Sequence, residues 1–532
     1  MIQSTLEPSE EFEERQSRSD SPGDSQETAF DDPGGWAHLG NAFLQSARTH
    51  GRHPAFITDD KATTYSQLRE QALLCAAQLL EFPEWKPGTR VALQMENSVE
   101  YIAAFYGILI ARGVVVPLPV GQTAAWIEQV LTVTDCQCVI NENGLALSAP
   151  RQFENRELRE GRLSVPSKLA AVFFTSGSSG LPKGVMLSHR NLLANATSIQ
   201  LSLPLQPNDR TLALLPFCHA YGNSVLQSHM LAGAAIVVAG STTFPETIAD
   251  AMRRHSVTSF SGVPHLYTLL LRGSRISSQT VPTLRYATVA GGALRDDLLN
   301  EFAERLAPAE FFVMYGQTEA TARLSCLPAA EFNARCGSIG RGIPGVLLQV
   351  VDEADQPVAV GITGEIRAKG PNVTLGYWQD LEGTAQIIRN GWLYTGDIAT
   401  VDAEGYIYPQ GRKSQLMKIS GYRLHPSEIE AVITREIPSV EAVAVAFETS
   451  DGLSRVALFV MSLRDDWVPD FATIRSCCAR ELAHYQRPHY ISIIEQPPLT
   501  PSLKVDRQRL SEWATDAALD RSQTRRRISS PV

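Results

Sequence analysis

The sequence predicts an α/β protein, with a large N-terminal domain of layered sheets and helices and a smaller α+β C-terminal domain. Three observations carry that prediction. A chain of 532 residues is too long for one hydrophobic core. From about Trp36 to about Gln410, short apolar runs alternate with helical patterns, as βα units with largely parallel strands require. After Gly411 the texture becomes polar, then helical, then two long apolar runs, which reads as a separate unit of roughly a hundred residues. The expected boundaries are a leader over 1–33, a large domain over 34–410, a small domain over 411–513 and a tail over 514–532.

Residues 1 to 32 hold ten Asp or Glu against two Arg, and this leader accounts for most of the net charge of −10. Few large apolar residues interrupt its Ser, Pro and Gly, so it is expected to be disordered. It has neither the basic start nor the apolar centre of a signal peptide. The remainder is nearly balanced in charge, which argues against a nucleic-acid partner. "YIAAFYGILIARGVVVPLPV" (101–120) is the longest apolar stretch, but Arg112 and Gly113 interrupt it. A buried helix ending at Gly113 and then a buried strand is expected, with no membrane span.

The next runs, "AAVFF", "TLALLP", "AIVVAG", "RYATVAGG" and "FFVMYG", each read as a buried strand closed by a Gly- or Pro-marked turn. Ligands of such sheets sit beyond the carboxyl ends of the strands, where these turns lie. In the small domain, "PSEIEAVI" reads as a helix, "VEAVAVAF" and "RVALFVMSL" as strands, 471–485 as a helix and "YISIIE" as a strand. "DRSQTRRRISSPV" at the end is basic and expected to be flexible. The eight cysteines match no metal-ligand spacing, and a reducing cytoplasm is the simplest setting for them.

"FFTSGSSGLPKGVMLSH" (173–189) is the most informative stretch. Thr175, Ser176, Gly177, Ser178, Ser179 and Gly180 offer N–H groups and hydroxyls without bulky side chains, and Lys183 adds one positive charge. Such concave runs bind phosphate, because convergent N–H dipoles replace the anion's lost water. A helix beginning near Ser188 would add its N-terminal dipole. The Walker pattern is excluded: it needs four residues between its glycines and Ser or Thr after the lysine, and Gly184 follows Lys183.

This loop resembles the signature of the adenylate-forming superfamily, which includes acyl- and aryl-CoA ligases, peptide-synthetase adenylation domains and beetle luciferases. "LPFCHAYG" (215–222), "AGGAL" (290–294), "MYGQTEAT" (314–321), "GWLYTGD" (391–397), "GRKSQLMKISGYRLHPSEIE" (411–430) and "TPSLKVDR" (500–507) resemble further family motifs in family order. The likeness spans about residue 36 to about 510.

The resemblance implies attack by a carboxylate on the α-phosphate of ATP, release of pyrophosphate, and transfer of the acyl group to a pantetheine thiol. CoA or a separate acyl or peptidyl carrier protein would present that thiol. Bringing an anion to a polyanion calls for charge neutralisation and positioning rather than a protein nucleophile. By resemblance, the loop from Thr175 to Lys183 holds the β- and γ-phosphates, Thr318 contacts the α-phosphate, and Glu319 helps hold Mg²⁺. Gly291, Gly292 and Ala293 bring backbone close to adenine, and Tyr315, followed by Gly316, supplies a stacking face. Asp397 accepts from the ribose hydroxyls, with Arg412 in support. Lys504, on a small domain that the resemblance makes mobile, reaches the carboxylate and α-phosphate. The family usually has Gly before that lysine, and this chain has Leu503.

Ser414 takes the hinge position, commonly Asp or Lys, and Gly421 lines the thiol's approach. His219 walls or gates the acyl pocket, to which Phe260, Ser261, Gly262, Val263 and Gly291 contribute surface. Amino-acid-activating relatives carry an Asp just after the position of His219. Here "HAYGNSV" has Ala220, which favours an uncharged acyl or aryl tail. Amino-acid adenylation and a non-catalytic nucleotide-binding role are the alternatives.

Overall fold

The computed structural model describes residues 38–147, 168–175, 182–240, 244–292, 296–415, 417–419, 422–449, 453–463, 467, 469–500 and 505–528. Ser176, Gly177, Ser178, Ser179, Gly180, Ala293, Gly421 and Lys504 lie outside the described residues, as does the leader over 1–33.

Among the described residues the large domain is built on three sheets. Five apolar segments, Pro54–Ile57, Ala235–Val237, Arg210–Leu212, Ser259–Gly262 and Tyr286–Val289, pair parallel in that spatial order, and Glu310–Tyr315 continues the parallel run. Antiparallel strands close both edges to make nine. A seven-stranded sheet carries Leu169–Thr175 beside Val114–Pro117 on one side and the returning strand Lys183–Ser188 on the other. Helices Tyr65–Leu80 and Val99–Ile110 lie between these two sheets. One core cluster joins Phe56 and Ile236 of the first sheet to Val91 and Phe173 of the second through Leu68, Phe105 and Tyr106. Each fully buried Val, Leu or Phe there contributes about 1.5–3 kcal/mol relative to leaving it exposed. The third sheet pairs Trp392–Val401 with both Gly364–Lys369 and Ile407–Arg412.

The helix expected to end at Gly113 runs Val99–Ile110, and the buried strand Val114–Pro117 follows. Arg112 takes the left-handed conformation, at φ 62°, instead of the glycine. Gly113 is needed for close approach: a Cβ there would sit 2.9 Å from both Ile108 and Trp85. Among the described residues no helix is long and apolar enough to cross a membrane.

The small domain pairs Val440–Glu448 antiparallel with Ser454–Ser462, which pairs parallel with Tyr490–Ile493. Helices Pro426–Glu436 and Phe471–Glu481 cover the sheet through Ile429, Ile433 and Ile474. The last helix, Arg507–Ile528, runs across the boundary expected at 513. Its reason is local: Leu510 and Ala514, one turn apart, are fully buried against Val443, Val445 and Phe459.

Candidate active site

The site grows from the ends of strands. Leu169–Thr175 and Lys183–Ser188 form an antiparallel pair in which Thr175 stands opposite Lys183, so both ends of the Gly/Ser stretch are held together. Gly184 is required beside Lys183, since a Cβ would meet Val172 at 2.9 Å and Trp378 at 3.1 Å. Directly after the return strand, Ser188 caps the helix His189–Ser202. Its side chain accepts from Asn191 N–H, while the Asn191 side chain accepts from Ser188 N–H. This reciprocal box fixes the helix start and spares two orphan donors.

Asn191 does a second job. Its amide nitrogen donates to the Pro371 and Val373 carbonyls, both at 2.7 Å. Between them, buried Asn372 donates to the carbonyls of Ala320 (3.2 Å) and Arg323 (2.8 Å). Thr321, at φ 66°, returns a bond from Oγ1 to the Asn372 carbonyl at 2.6 Å. The turn carrying Thr318 and Glu319 is thereby tied to the helix His189–Ser202. Gly316 is part of the same construction: a Cβ there would lie 1.7 Å from the Ala322 carbonyl oxygen.

Glu319 is oriented by Tyr377, whose hydroxyl donates to Oε1 at 2.7 Å. Burial, and then the Glu319 charge, raise the Tyr377 pKa, so the phenol stays a donor. The Lys183 ammonium sits 5.0 Å from the centroid of the Tyr377 ring. Tyr377 therefore brings the loop lysine and the turn carboxylate to one place. Its strand, Gly376–Tyr377, pairs with Lys183–Ser188.

Asp397 and Arg412 are direct cross-strand partners. Asp397 is 8% exposed. Arg412 Nε meets its Oδ1 at 3.0 Å, and the Tyr315 hydroxyl donates to Oδ2 at 2.6 Å. The Asp397 charge holds the Arg412 pKa above its ordinary value, with Tyr315 and Glu319 adding to it. Burial and then Asp397 raise the Tyr315 pKa. The two halves of the site thus share one electrostatic environment, and Tyr315 holds the carboxylate as well as offering a half-buried ring face.

The residues expected around the acyl pocket divide. His219 is half-buried at the N-cap of the helix Ala220–Ala232. Tyr221, two residues on, reaches the Gly262 carbonyl (3.3 Å) and the Thr288 carbonyl and Oγ1 (3.2 Å each). Ala290 N–H donates to the Gly262 carbonyl at 3.2 Å, which places the 290–292 turn beside Gly262, and Gly291 takes φ 92°. Gly292 is exposed. Val263 is buried as the N-cap of the helix Pro264–Gly273. Phe260 packs into the core, 5.5 Å from the Tyr267 ring centroid, and its side chain joins that cluster. Ser414 is exposed in the short turn Lys413–Gln415, and Lys413 Nζ meets Glu365 at 3.0 Å.

Tyr377, Asn372, Asn191, Tyr221 and Arg323 were not singled out in the sequence. The signal available for Asn372 and Tyr377 was weak, since "GPNVTLGY" has ordinary turn composition; Asn191 stands three residues after Ser188, where the spacing of a helix cap could have pointed to it. The aspartate and arginine pair was legible from "YTGD" and "GRK".

Residues 43–378 match the family described as AMP-binding enzyme. The chain is 28% identical to a long-chain-fatty-acid–CoA ligase of Escherichia coli O6:H1 over 540 residues, covering 91% of this chain and 95% of that protein. It is 29% identical to a 2-succinylbenzoate–CoA ligase of Bacillus cereus over 481 residues, covering 88% and 97%. Its fold matches ATP-bound MatB from Rhodopseudomonas palustris with a TM-score of 0.78 and 25% identity, over 90% of this chain and 99% of that one. With Lys183, the Thr-Glu turn and the Asp–Arg pair standing at one site inside or beside the matched span, the chain belongs to the AMP-binding enzyme family.

Proposed function

We propose that the chain activates a carboxylic acid as acyl-AMP, releasing pyrophosphate from ATP, and passes the acyl group to the thiol of CoA. The observation that carries this reading is the shared cluster of Lys183, Tyr377, Glu319, Asp397, Tyr315 and Arg412, which offers a cation and a carboxylate to phosphates beside a second, rigidly held carboxylate. A carboxylate whose two oxygens are both pinned accepts two vicinal hydroxyls at little further ordering cost, as ribose recognition requires. Thr175 and Lys183 flank the phosphates, and Lys183 offsets their charge as pyrophosphate departs. Thr318 positions the α-phosphate.

The donor set fits magnesium. Mg²⁺ is commonly held by one or two carboxylates with substrate phosphates supplying other oxygens. Among the described residues Glu319 has one oxygen engaged, by Tyr377, and a second to offer. When bound, the ion neutralises phosphate charge. The carboxylate nucleophile is the substrate's own, so the protein's task is to desolvate, align and balance charge.

CoA is the assigned acceptor because both curated relatives join an acid to CoA. Gly421 and Ser414 would lie on the thiol path and the hinge, and a cytoplasmic setting suits cysteines that form no disulfide. The test is carboxylate-dependent exchange of labelled pyrophosphate into ATP across aliphatic, aryl and amino acids, followed by thioester detection by mass. Exchange with an acid and a CoA thioester are expected. Absence of exchange with every acid would leave a non-catalytic nucleotide-binding protein. Exchange followed by thioester on a carrier protein alone would move the acceptor from CoA.

A further inference from the structure

The buried charges of this fold are paired. Arg90, 8% exposed, donates to the Thr134, Gly88 and Asp135 carbonyls and to the Asp135 carboxylate at 2.7–3.1 Å. Asp209 is matched by Arg285 and Thr258. Arg323 departs from this pattern. It is 2% exposed, yet among the described residues no carboxylate pairs with it. Its Nε donates to the Met314 sulfur at 3.2 Å, a weak acceptor. Its guanidinium lies 4.0 Å from the centroid of the Tyr221 ring. Stacking on a tyrosine face accommodates the positive charge but leaves the in-plane N–H fork without an anion. An unpaired buried guanidinium is costly to keep, so a partner is expected from outside the chain.

The position says which partner. Tyr221 follows His219 by two residues and bonds to Gly262 and Thr288, so the ring under Arg323 belongs to the wall expected to hold the acyl group. Arg323 itself comes four residues after Glu319, in the segment that the ligase reading turns toward the phosphates. In the sequence it stands alone among apolar and small residues in "ATARLSCL", a charge in a stretch that otherwise reads as buried.

We propose that Arg323 is the specificity-determining residue of the acyl pocket and that it selects a dicarboxylic acid, binding the carboxylate that is not activated. This rests on the ligase reading above and replaces the uncharged tail expected from "HAYGNSV". The planar fork suits a carboxylate held by two parallel bonds, and Tyr221 fixes the plane in which the fork lies.

The test compares matched acids that differ only in the distal group, straight-chain diacids of increasing length against monoacids of equal carbon number, and benzene dicarboxylates against benzoate. The readout is kcat/KM for AMP release by the full chain. The wild type is expected to favour the diacid by at least tenfold in at least one pair. In Arg323→Leu that ratio is expected to fall by about a hundredfold or more, and in Arg323→Lys by less. A merely structural role would lower both acids of a pair together and leave their ratio unmoved, which would overturn the assignment. Should Arg323→Leu not fold, the wild-type comparison decides: a preference for the monoacid in every pair overturns the proposal. Turnover of monoacids alone would refute the Arg323 assignment while sustaining the ligase reading, whereas no turnover of any acid would remove the reading itself.

Discussion

At the scale of single residues, the site is governed by how carboxylates are held rather than by their presence. Glu319 and Asp397 each receive a tyrosine hydroxyl, at 2.7 Å and 2.6 Å, and each tyrosine is raised in pKa by burial first and by that carboxylate next. A hydrogen bond to a charged group contributes about 1.5–3 kcal/mol. Tyr377→Phe removes the donor to Glu319 while keeping the ring beneath Lys183. We expect kcat/KM for acid-dependent AMP release to fall about ten- to a hundredfold, in proportion to that energy. Half-saturation in Mg²⁺ should rise, because the second Glu319 oxygen is no longer presented in a fixed direction. An unchanged magnesium dependence would assign Tyr377 to packing alone.

Elements matter here because their ends, not their middles, carry the chemistry. The turn after Glu310–Tyr315 holds its shape only if Gly316 has no side chain, since the Ala322 carbonyl occupies the place of a Cβ. Gly316→Ala is therefore expected to cost about 2–4 kcal/mol of stability, at the upper end of the usual range for a single substitution, and to displace the Thr318–Glu319 turn. Urea unfolding measures the first, and the loss of pyrophosphate exchange at temperatures where the chain remains folded measures the second. The same elements show what a sequence discloses. The parallel strands were legible because buried runs such as "AAVFF" and "FFVMYG" are unbroken and end in turn residues, and the cap at Ser188 because helix starts have a local chemistry. The order of the strands was not, since a strand does not name its neighbour: Arg210–Leu212 sits between Ala235–Val237 and Ser259–Gly262. Likewise Asp397 and Arg412 were readable from motifs, but Tyr377 acquires its role only when Gly376–Tyr377 pairs with a strand nearly two hundred residues earlier. Phe260 shows the opposite failure, because alternation along a strand decides which face a side chain takes, and this one faces the core.

At the scale of the whole molecule, two buried histidines link stability to pH. Burial, and to a lesser degree His38, hold His189 down to about 3, while burial holds His229 down to about 4. His189 accepts the Leu39 N–H at 3.3 Å and stacks on His38, so protonation would turn an acceptor into a clash of donors. Unfolded histidine titrates near 6.5, so between about pH 6.5 and 4 the unfolded chain binds protons that the folded one refuses. Stability is then full above pH 6.5 and declines as the solution is acidified, by about 1.4 kcal/mol per pH unit for each such group. Thermal midpoints from pH 8 to 4.5 should be level and then fall, and His189→Gln should make the fall shallower. A flat profile would mean that these rings are not neutral in the fold.

The small domain is where the two half-reactions would be separated. Leu499 bridges to Val505, Asp506 N–H donates to the Pro498 carbonyl at 2.8 Å, and Arg507 is fastened to Glu430 at 2.6 Å and to the Ala444 carbonyl at 2.8 Å. Val505, Asp506 and Arg507 are thus anchored to this domain. At the boundary expected near 411, Arg412 is paired to Asp397 and Lys413 to Glu365, while Ser414 is exposed. A pivot at Ser414 would leave the Asp397–Arg412 pair in place and carry the lysine away. His425, which contacts the Arg412 carbonyl at 3.1 Å, and Ser427, which donates to the Gln410 carbonyl at 2.7 Å, resist that motion from the small-domain side. If Lys504 serves only while the domain is turned toward ATP, Lys504→Ala should lower acid-dependent pyrophosphate exchange by about 10²–10³, the usual loss for one preorganised donor. Thioester formation from a supplied acyl adenylate should stay within a few-fold of the parent, because in that step the lysine is elsewhere. An equal loss in both measurements would mean that one arrangement of the domains serves both reactions and that Ser414 is not a pivot.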